Sequence, residues 1–334
     1  METLRLSVSI DHYALIKPFT ISTGTRTHQA VLSIQLEQGG QIGRGEGRAI
    51  PYRGETVESL RDQVEAIRPV IEAGVDRHSL LNLLPANGAR AALDAALWDL
   101  NAKQTGQTVA TQLGILPRAL PSAYTISLDA PEAMARQTEL ESWRPLLKVK
   151  LGGNPDQEEE RIRAVASAAG VARLVIDANA GWSVQQLMTL SHVAADCGFE
   201  LIEQPLPQGS EDQPDIRSAF RRASEIIPLC ADESFQTLDD LDGVRELYQS
   251  INIKLDKCGG LTSALKIQEV ARQHDVGVFV GCMLASTVAI APAFLLAQDA
   301  DYVDLDGPFW FSDEPVSLTD DGRINPISPS VWGG

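Results

Sequence analysis

The sequence is short of the groups that would tie it to nucleic acid, to a membrane surface or to an oxidising compartment. Basic residues number 28 against 45 acidic ones, for a formal charge of −17. A nucleic-acid binder needs a basic footprint to displace counterions from phosphates. A polybasic membrane-surface protein needs one to meet anionic lipid. The charge balance argues against both classes. Cys197, Cys230, Cys258 and Cys282 are spaced too widely for a CxxC metal or redox motif. No basic, apolar and small-residue sequence reads as a secretory leader. Reduced thiols and a cytoplasmic location are therefore expected. Long hydrophobic runs are scarce as well. The stretch from Val276 to Ala297 carries no charged side chain over 22 residues, enough to span a bilayer. Gly281, Ser286, Thr287 and Pro292 interrupt it, and no lysine or arginine cluster flanks it. It reads as a buried strand followed by a buried helix. Glycine-rich phosphate loops are also missing, since GRGEGR at 43–48 lacks the final glycine and the lysine of the nucleotide motifs.

What is present is repetition. The 334 residues suit roughly two domains. Short apolar runs recur as YTISL at 124, LLKVK at 146, LVIDA at 174, ELIEQ at 200, PLCAD at 228, INIKL at 251, VFVGC at 278 and YVDLD at 302. Their starts are 22 to 28 residues apart, which suits one strand, one helix and two short loops. Helix punctuation falls between them. Asn154 with Pro155 reads as a start and Gly170 as a stop. Ser183 with Gln186 reads as a capping box closed by Gly198, and Thr237 and Thr262 read as caps. Eight near-equal units predict an α/β fold, a (β/α)8-type (modified TIM) barrel over 120–310, rather than an open doubly wound sheet.

The first 115 residues read as an α+β capping domain. Segments 3–11, 30–37 and 41–46 alternate like antiparallel strands, with Gly39-Gly40 as a turn. Val57, Leu60, Val64, Ile67 and Ile71 mark one face of a helix. Leu93, Leu97 and Leu100 mark another, ending near Gly106. Residues 311–334 form a tail expected to return to this domain.

In such a barrel the reactive groups stand at the C-terminal ends of the strands. There the sequence offers Lys148 and Lys150, Asp177 with Asn179 two beyond, Glu203, Asp232, Lys254, and the pair Asp304 and Asp306. Carboxylates from three successive strands suit a hard cation such as Mg2+. A base lysine needs its pKa lowered from about 10.4 toward 7–8, and a second ammonium and a divalent cation act in that direction. Lys150 and Lys254 lie four strands apart, on opposite sides of the mouth. Two such bases can take a proton from one face of a carbon and return it to the other.

LKVK at 147–150, VIDANAGW at 175–182, IEQP at 202–205, ADES at 231–234 and NIKLDKCGGLT at 252–262 resemble the muconate-lactonizing subgroup of the enolase superfamily. GRGEG at 43–47 and ARAALDAALWDL at 89–100 resemble that family's capping domain. DLDGP at 304–308 and the GCML segment at 281–284 resemble the dipeptide epimerases, L-Ala-D/L-Glu epimerases among them. The resemblance implies an isomerase with one Mg2+ per subunit, held by Asp177, Glu203 and Asp232. It implies Lys150 and Lys254 as the two bases of a 1,1-proton transfer through an enediolate. Lys148 is then a helper at the substrate carboxylate, and Thr125, Cys282, Asp304 and Asp306 are substrate contacts. Asn179 is a supporting residue behind the metal. Arg26, in KPFTISTGTRT at 17–27, stands where the family places an arginine for a glutamate side chain. The implied partner is a small-molecule dipeptide, with no nucleic acid and no membrane, and a homo-oligomer is open.

Other members of the subgroup keep both lysines: N-acyl amino acid racemases, o-succinylbenzoate synthases and cycloisomerases. They have no free ammonium to bind, so the aspartate pair favours the epimerase reading. Acid-sugar dehydratases tend to use a histidine base, and His12, His28, His78, His192 and His274 all lie away from expected strand ends. A Schiff-base aldolase and a non-catalytic barrel are the readings from other classes. The complete metal and base set argues against the second. The first residue of the dipeptide is unconstrained by the sequence.

Overall fold

The computed structural model describes residues 3–22 and 24–334. Met1, Glu2 and Thr23, which fall in the expected capping segment and in KPFTISTGTRT, lie outside the described residues. Eight parallel strands form one sheet and three antiparallel strands form another.

The smaller sheet contains β1 (Arg5–Ile21), β2 (Gly24–Gln38) and β3 (Gln41–Gly47). Gly39 and Gly40 link β2 to β3 with φ of 63° and 75°, the left-handed pair that a two-residue hairpin turn requires. β1 is longer than the expected segment 3–11. It runs on to Ile21 across a register break between Ala14 and Phe19, where Pro18 has no N–H to pair. The helix expected across Val57 to Ile71 is two helices, Val57–Ala66 and Arg68–Glu72. Pro69, in the first turn of the second, cannot donate back into the first.

The glycines of GRGEG are a packing device. Gly43, Gly45 and Gly47 share one face of β3, against the helix Gly88–Thr105. A Cβ at any of them would collide with the carbonyl oxygen of Ala96, Ala92 or Gly88 respectively. The alternation turns Glu46 and Arg48 away from that helix, toward the barrel.

The barrel strands are β4 (Ala123–Ile126), β5 (Leu146–Lys150), β6 (Arg173–Asp177), β7 (Phe199–Glu203), β8 (Leu229–Ala231), β9 (Ser250–Lys254), β10 (Gly277–Gly281) and β11 (Tyr302–Asp304). Each of the eight apolar runs read from the sequence is one of these strands. They pair in sequence order, and a parallel bridge from Ser122 to Val303 joins the last to the first. Side chains alternate. Leu147, Val149, Ile176, Ile202 and Ile253 pack in the large core shared with the helices. Ala123, Leu146, Val175, Leu201, Cys230 and Phe279 face inward as an apolar plug. Two residues further along their strands stand Thr125, Lys148, Asp177, Glu203 and Asp232. The period of two therefore places a polar, mostly charged layer directly above an apolar one.

Several caps form as read. Ser183 and Gln186 make a capping box, and Gly198 follows the helix end with φ of 81°. Asn154 caps a single 3-10 turn, Pro155–Gln157, before the α-helix Glu158–Ala168. Thr262 is not a cap, because Gly260 holds that position. Asp94 on the Gly88–Thr105 helix accepts from both the N–H and the hydroxyl of Thr262, and Trp98 Nε1 donates to that hydroxyl at 3.1 Å. Thr262 thus ties the cap to the barrel. The uncharged stretch from 276 to 297 is β10 and the helix Thr287–Leu296. No helix among the described residues is long and apolar enough to cross a membrane. The tail lies on the Gly88–Thr105 helix, where Trp332 Nε1 donates to the Ala95 carbonyl at 3.0 Å and Gly333 N to Asp99 Oδ1 at 2.8 Å.

Candidate active site

Strand register sets the site. Lys150 is level with Asp177, and Asp177 with Glu203, across β5, β6 and β7. On the other side Gly281 is level with both Lys254 and Asp304. One ring of the barrel mouth therefore carries Lys150, Lys254, Asp177, Glu203 and Asp304 together.

Carboxylate oxygens of Asp177, Glu203 and Asp232 lie within 4.8 Å of one another, all buried. Lysines surround them. Lys150 Nζ is 2.6 Å from Asp177 Oδ2, and Lys254 Nζ is 2.6 Å from Asp232 Oδ2. Lys148 Nζ bridges Asp177 Oδ2 at 3.0 Å, Glu203 Oε2 at 2.8 Å and Asp304 Oδ2 at 2.9 Å. Asn252 Nδ2 donates to Glu203 Oε1 at 2.9 Å. Lys257 Nζ pairs with Asp232 Oδ1 at 2.6 Å and also donates to the Phe235 carbonyl. Gln204 Oε1 accepts from Asp232 N at 3.1 Å, fixing the chain at that carboxylate.

The lysines lie among acids as well as beside one another. Burial does oppose the charged form of Lys148, but Asp177, Asp304 and Glu203 outweigh it and hold its pKa well above the ordinary range. Lys254 is likewise raised, by Asp232 against burial. Burial raises Glu203 to about 7, with Asp177 adding to it. Asp177 and Asp232 are held low despite burial, the first by Lys148 and Lys150, the second by Lys254 and Lys257. The ammonium groups are counter-charges of the triad.

The triad suits a metal. Three converging buried carboxylates supply only hard oxygen donors, and Glu203 Oε2 accepts no hydrogen bond of acceptable geometry. That donor set fits Mg2+ better than a soft or nitrogen-preferring ion.

A cavity of about 370 Å³ opens beside the triad. Every sequence-proposed residue except Asp177 and Glu203, which lie beneath it, lines it: Arg26, Thr125, Lys148, Lys150, Asn179, Asp232, Lys254, Cys282, Asp304 and Asp306. Asp304 Oδ1 is buried without a hydrogen-bond partner. Asp306 Oδ2 accepts from Thr125 N at 2.8 Å and Trp310 Nε1 at 3.3 Å. Burial, then Asp304, raises Asp306 to about 6. Burial pushes the Cys282 thiol up, with Asp304 and Asp306 adding to it, so it stands in the wall as a neutral group. Asn179 N donates to Asp177 Oδ1 at 2.9 Å from a backbone with φ of 44°. The β1–β2 hairpin roofs the cavity. Lys17 Nζ donates to Tyr124 OH at 2.9 Å, Leu128 N to the Thr20 carbonyl at 3.1 Å, and Phe19 packs edge-on against Trp310 at 4.7 Å. Arg26 on that hairpin has no ion-pair partner among the described residues, and burial lowers its pKa.

Sequence reasoning did not single out Arg48, Tyr52, Glu233, Asn252 or Lys257. Glu233 sits inside the quoted ADES motif, and Asn252 and Lys257 inside NIKLDKCGGLT, so a signal existed. Burial, then Asp232 and Asp177, raises Glu233 to about 8. Arg48 had none, because its placement depends on contacts between distant segments.

A capped barrel with a carboxylate triad at its mouth and lysines on both sides defines an enolase-type protein. The chain belongs to the mandelate racemase / muconate lactonizing enzyme family: residues 5–114 match its N-terminal domain and residues 132–323 the enolase C-terminal domain-like model. It is 37% identical over 303 residues to the L-Ala-D/L-Glu epimerase of Escherichia coli K12, covering 90% of this chain and 92% of that one. It is also 37% identical over 298 residues to an N-acetyl-D-glutamate racemase of a Pseudoalteromonas species, covering 87% and 91%. Among solved structures it resembles an enolase family member from Agrobacterium tumefaciens with homology to dipeptide epimerases, bound to sodium and L-Ala-L-Glu. The TM-score is 0.93 and the identity 39%, over 99% of this chain and 100% of that one. It also resembles a dipeptide epimerase of Enterococcus faecalis V583 complexed with Mg and L-Leu-L-Tyr, with a TM-score of 0.88 at 25% identity, over 100% and 99%.

Proposed function

We propose that this chain is a Mg2+-dependent dipeptide epimerase that inverts the α-carbon of the C-terminal residue, with L-Ala-D/L-Glu or a similar dipeptide as substrate. The observation that carries this reading is the buried, unpartnered Asp304 Oδ1 in the cavity that also holds Lys150 and Lys254. An acceptor-only pair of aspartates at that point calls for a cation on the ligand, and the α-ammonium of a dipeptide supplies it.

Asp177, Glu203 and Asp232 would hold the metal, which when bound supplies positive charge to the substrate carboxylate as the α-proton leaves. Lys148 holds the same carboxylate from the side. Lys150 accepts the proton of one epimer as the Cα–H bond breaks. Lys254, as its ammonium, donates a proton to the opposite face, and the roles exchange for the other epimer. Asp304 and Asp306 grip the ammonium, Thr125 positions Asp306, and Cys282 closes the wall. Arg26 meets an acidic C-terminal side chain. Asn179 keeps Asp177 oriented. The division into a cap at 1–115, a barrel at 120–310 and a tail at 311–334 is part of the same reading. Four unpaired cysteines support a cytoplasmic location.

The relative named for N-acetyl-D-glutamate favours a second reading, racemisation of an N-acylated amino acid. That substrate has no ammonium and leaves Asp304 Oδ1 without a partner. The test is α-hydrogen exchange in deuterated water with L-Ala-L-Glu and with N-acetyl-L-glutamate. Faster exchange of the dipeptide, lost tenfold or more in an Asp304→Asn variant by roughly the worth of one charge-assisted hydrogen bond, supports the epimerase. Exchange of the N-acetyl compound alone overturns it.

A further inference from the structure

We propose that Arg48 determines specificity by binding an anionic group on the first residue of the dipeptide, a reading that rests on the dipeptide assignment above. Arg48 is only 5% exposed, yet it lines the active cavity. Its Nε is buried without a partner, and its guanidinium makes no ion pair or hydrogen bond among the described residues. A guanidinium cannot shed its charge at any ordinary pH, so burial without a counter-ion is costly.

The acids around this segment are committed elsewhere. Asp256 Oδ1 accepts the Arg48 backbone N–H at 2.7 Å, not the side chain. Glu55 pairs with Arg53 Nε at 3.2 Å and accepts from Ile50 N at 2.9 Å. Glu46 is bound by Ser286 N at 3.0 Å and Ser286 Oγ at 2.6 Å. Glu233 lines the same cavity but makes no ion pair with Arg48, so the guanidinium is open to an anion on the ligand.

Geometry selects which part of the ligand. Lys148 and the triad take the α-carboxylate, and Asp304 and Asp306 take the ammonium. Arg26 enters on the hairpin, whose Ser22 reaches the Asn179 carbonyl beyond β6 at 3.3 Å and whose Thr20 meets Leu128 beyond β4. Arg48 enters from the opposite side. Its backbone rests on Asp256 beyond β9, and its neighbour Glu46 is fixed to Ser286 beyond β10. β10 adjoins β11, and Cys282 N donates to the Asp304 carbonyl at 3.0 Å. Arg48 therefore borders the sector where the first residue's ammonium is held. A carboxylate-bearing side chain on that residue, as in L-Glu or L-Asp, meets it.

The test is kcat/KM for L-Glu-L-Glu and L-Ala-L-Glu in the Mg2+-loaded wild type and in Arg48→Met, Arg48→Lys and Arg26→Met variants. The wild type is expected to prefer L-Glu-L-Glu. Arg48→Met lowers that preference roughly tenfold or more, the worth of one charge-assisted contact, and Arg48→Lys restores part of it. Arg26→Met lowers both values together and leaves the ratio in place. A ratio unmoved by Arg48→Met, or moved equally by Arg26→Met, overturns the proposal. Because a ratio within one variant is read, partial misfolding cannot imitate the effect. Turnover of either dipeptide by the wild type upholds the epimerase reading whatever the Arg48 variants do. Turnover of neither removes both.

Discussion

Lys254 Nζ stands 2.6 Å from Asp232 Oδ2, so a proposed base is ion-paired to a carboxylate proposed to hold the metal. Lys150 has the same relation to Asp177, at 2.6 Å. Each base is tied to a different acid on its own side of the mouth. A dication held by those acids would compete with the two ammonium groups for the same carboxylate oxygens.

Separate sides imply separable losses. A Lys150→Ala enzyme is expected to keep deuterium exchange into one epimer of the dipeptide and lose it for the other, and Lys254→Ala to show the reverse. Proton NMR in deuterated water reads both. Loss of exchange from both epimers in a variant whose melting point is unchanged would sink the assignment of one base to each face.

Asn252 donates to Glu203 Oε1 from within the barrel, at 2.9 Å. Removing a group that orients a ligand typically weakens metal binding about 10- to 100-fold. Asn252→Ala should therefore bind Mg2+ that much more weakly by calorimetry, with the carboxylate triad itself intact. Wild-type affinity would mean that Lys148 alone orients Glu203.

Gly45→Ala drives a methyl group into the Ala92 carbonyl. Overpacking of this kind costs about 1–3 kcal/mol, and backbone on both sides leaves little room to relax. A clear drop in thermal midpoint is expected. Gly243→Ala is the control, since an added Cβ there meets nothing within 4 Å. Equal melting points for the two variants would contradict the tight strand–helix contact.

Glu46 is raised from 4.5 to about 7, chiefly by burial, against the lowering effect of its bonds from Ser286. Between those values the folded state holds a proton that the unfolded state has released, so this group's contribution to stability falls as pH rises through the window. The full rise corresponds to roughly 3 kcal/mol. Glu46→Gln removes the dependence. Its melting point should gain on the wild type from pH 4.5 to 7 and run parallel above it. Parallel curves throughout would show that Glu46 titrates normally.

The barrel was legible because its strands repeat an apolar inward residue followed, two along, by a polar one. Leu146 with Lys148 and Val175 with Asp177 carry both the fold and the site in one short run. Features created by distant contacts were not legible. Thr262 has the local signature of a cap, but Asp94 from another domain captures it. The periodicity across Val57 to Ile71 is continuous, and Pro69 breaks the hydrogen bonds without disturbing it. Spacing revealed two neighbouring ammonium groups at Lys148 and Lys150, but not that three acids lie against Lys148. Arg48 follows GRGEG as an ordinary charged residue, and its burial depends on how β3 seats on the Gly88–Thr105 helix.

Lys148 places a single ammonium among Asp177, Glu203 and Asp304. Three buried acids from three different strands thus share one counter-charge from a fourth. Taking one partner out of a buried ionic cluster leaves the others uncompensated, which is strongly destabilising. The same side chain that faces the ligand is therefore a keystone of the barrel mouth, and this position has little freedom to vary even where the chemistry would tolerate it.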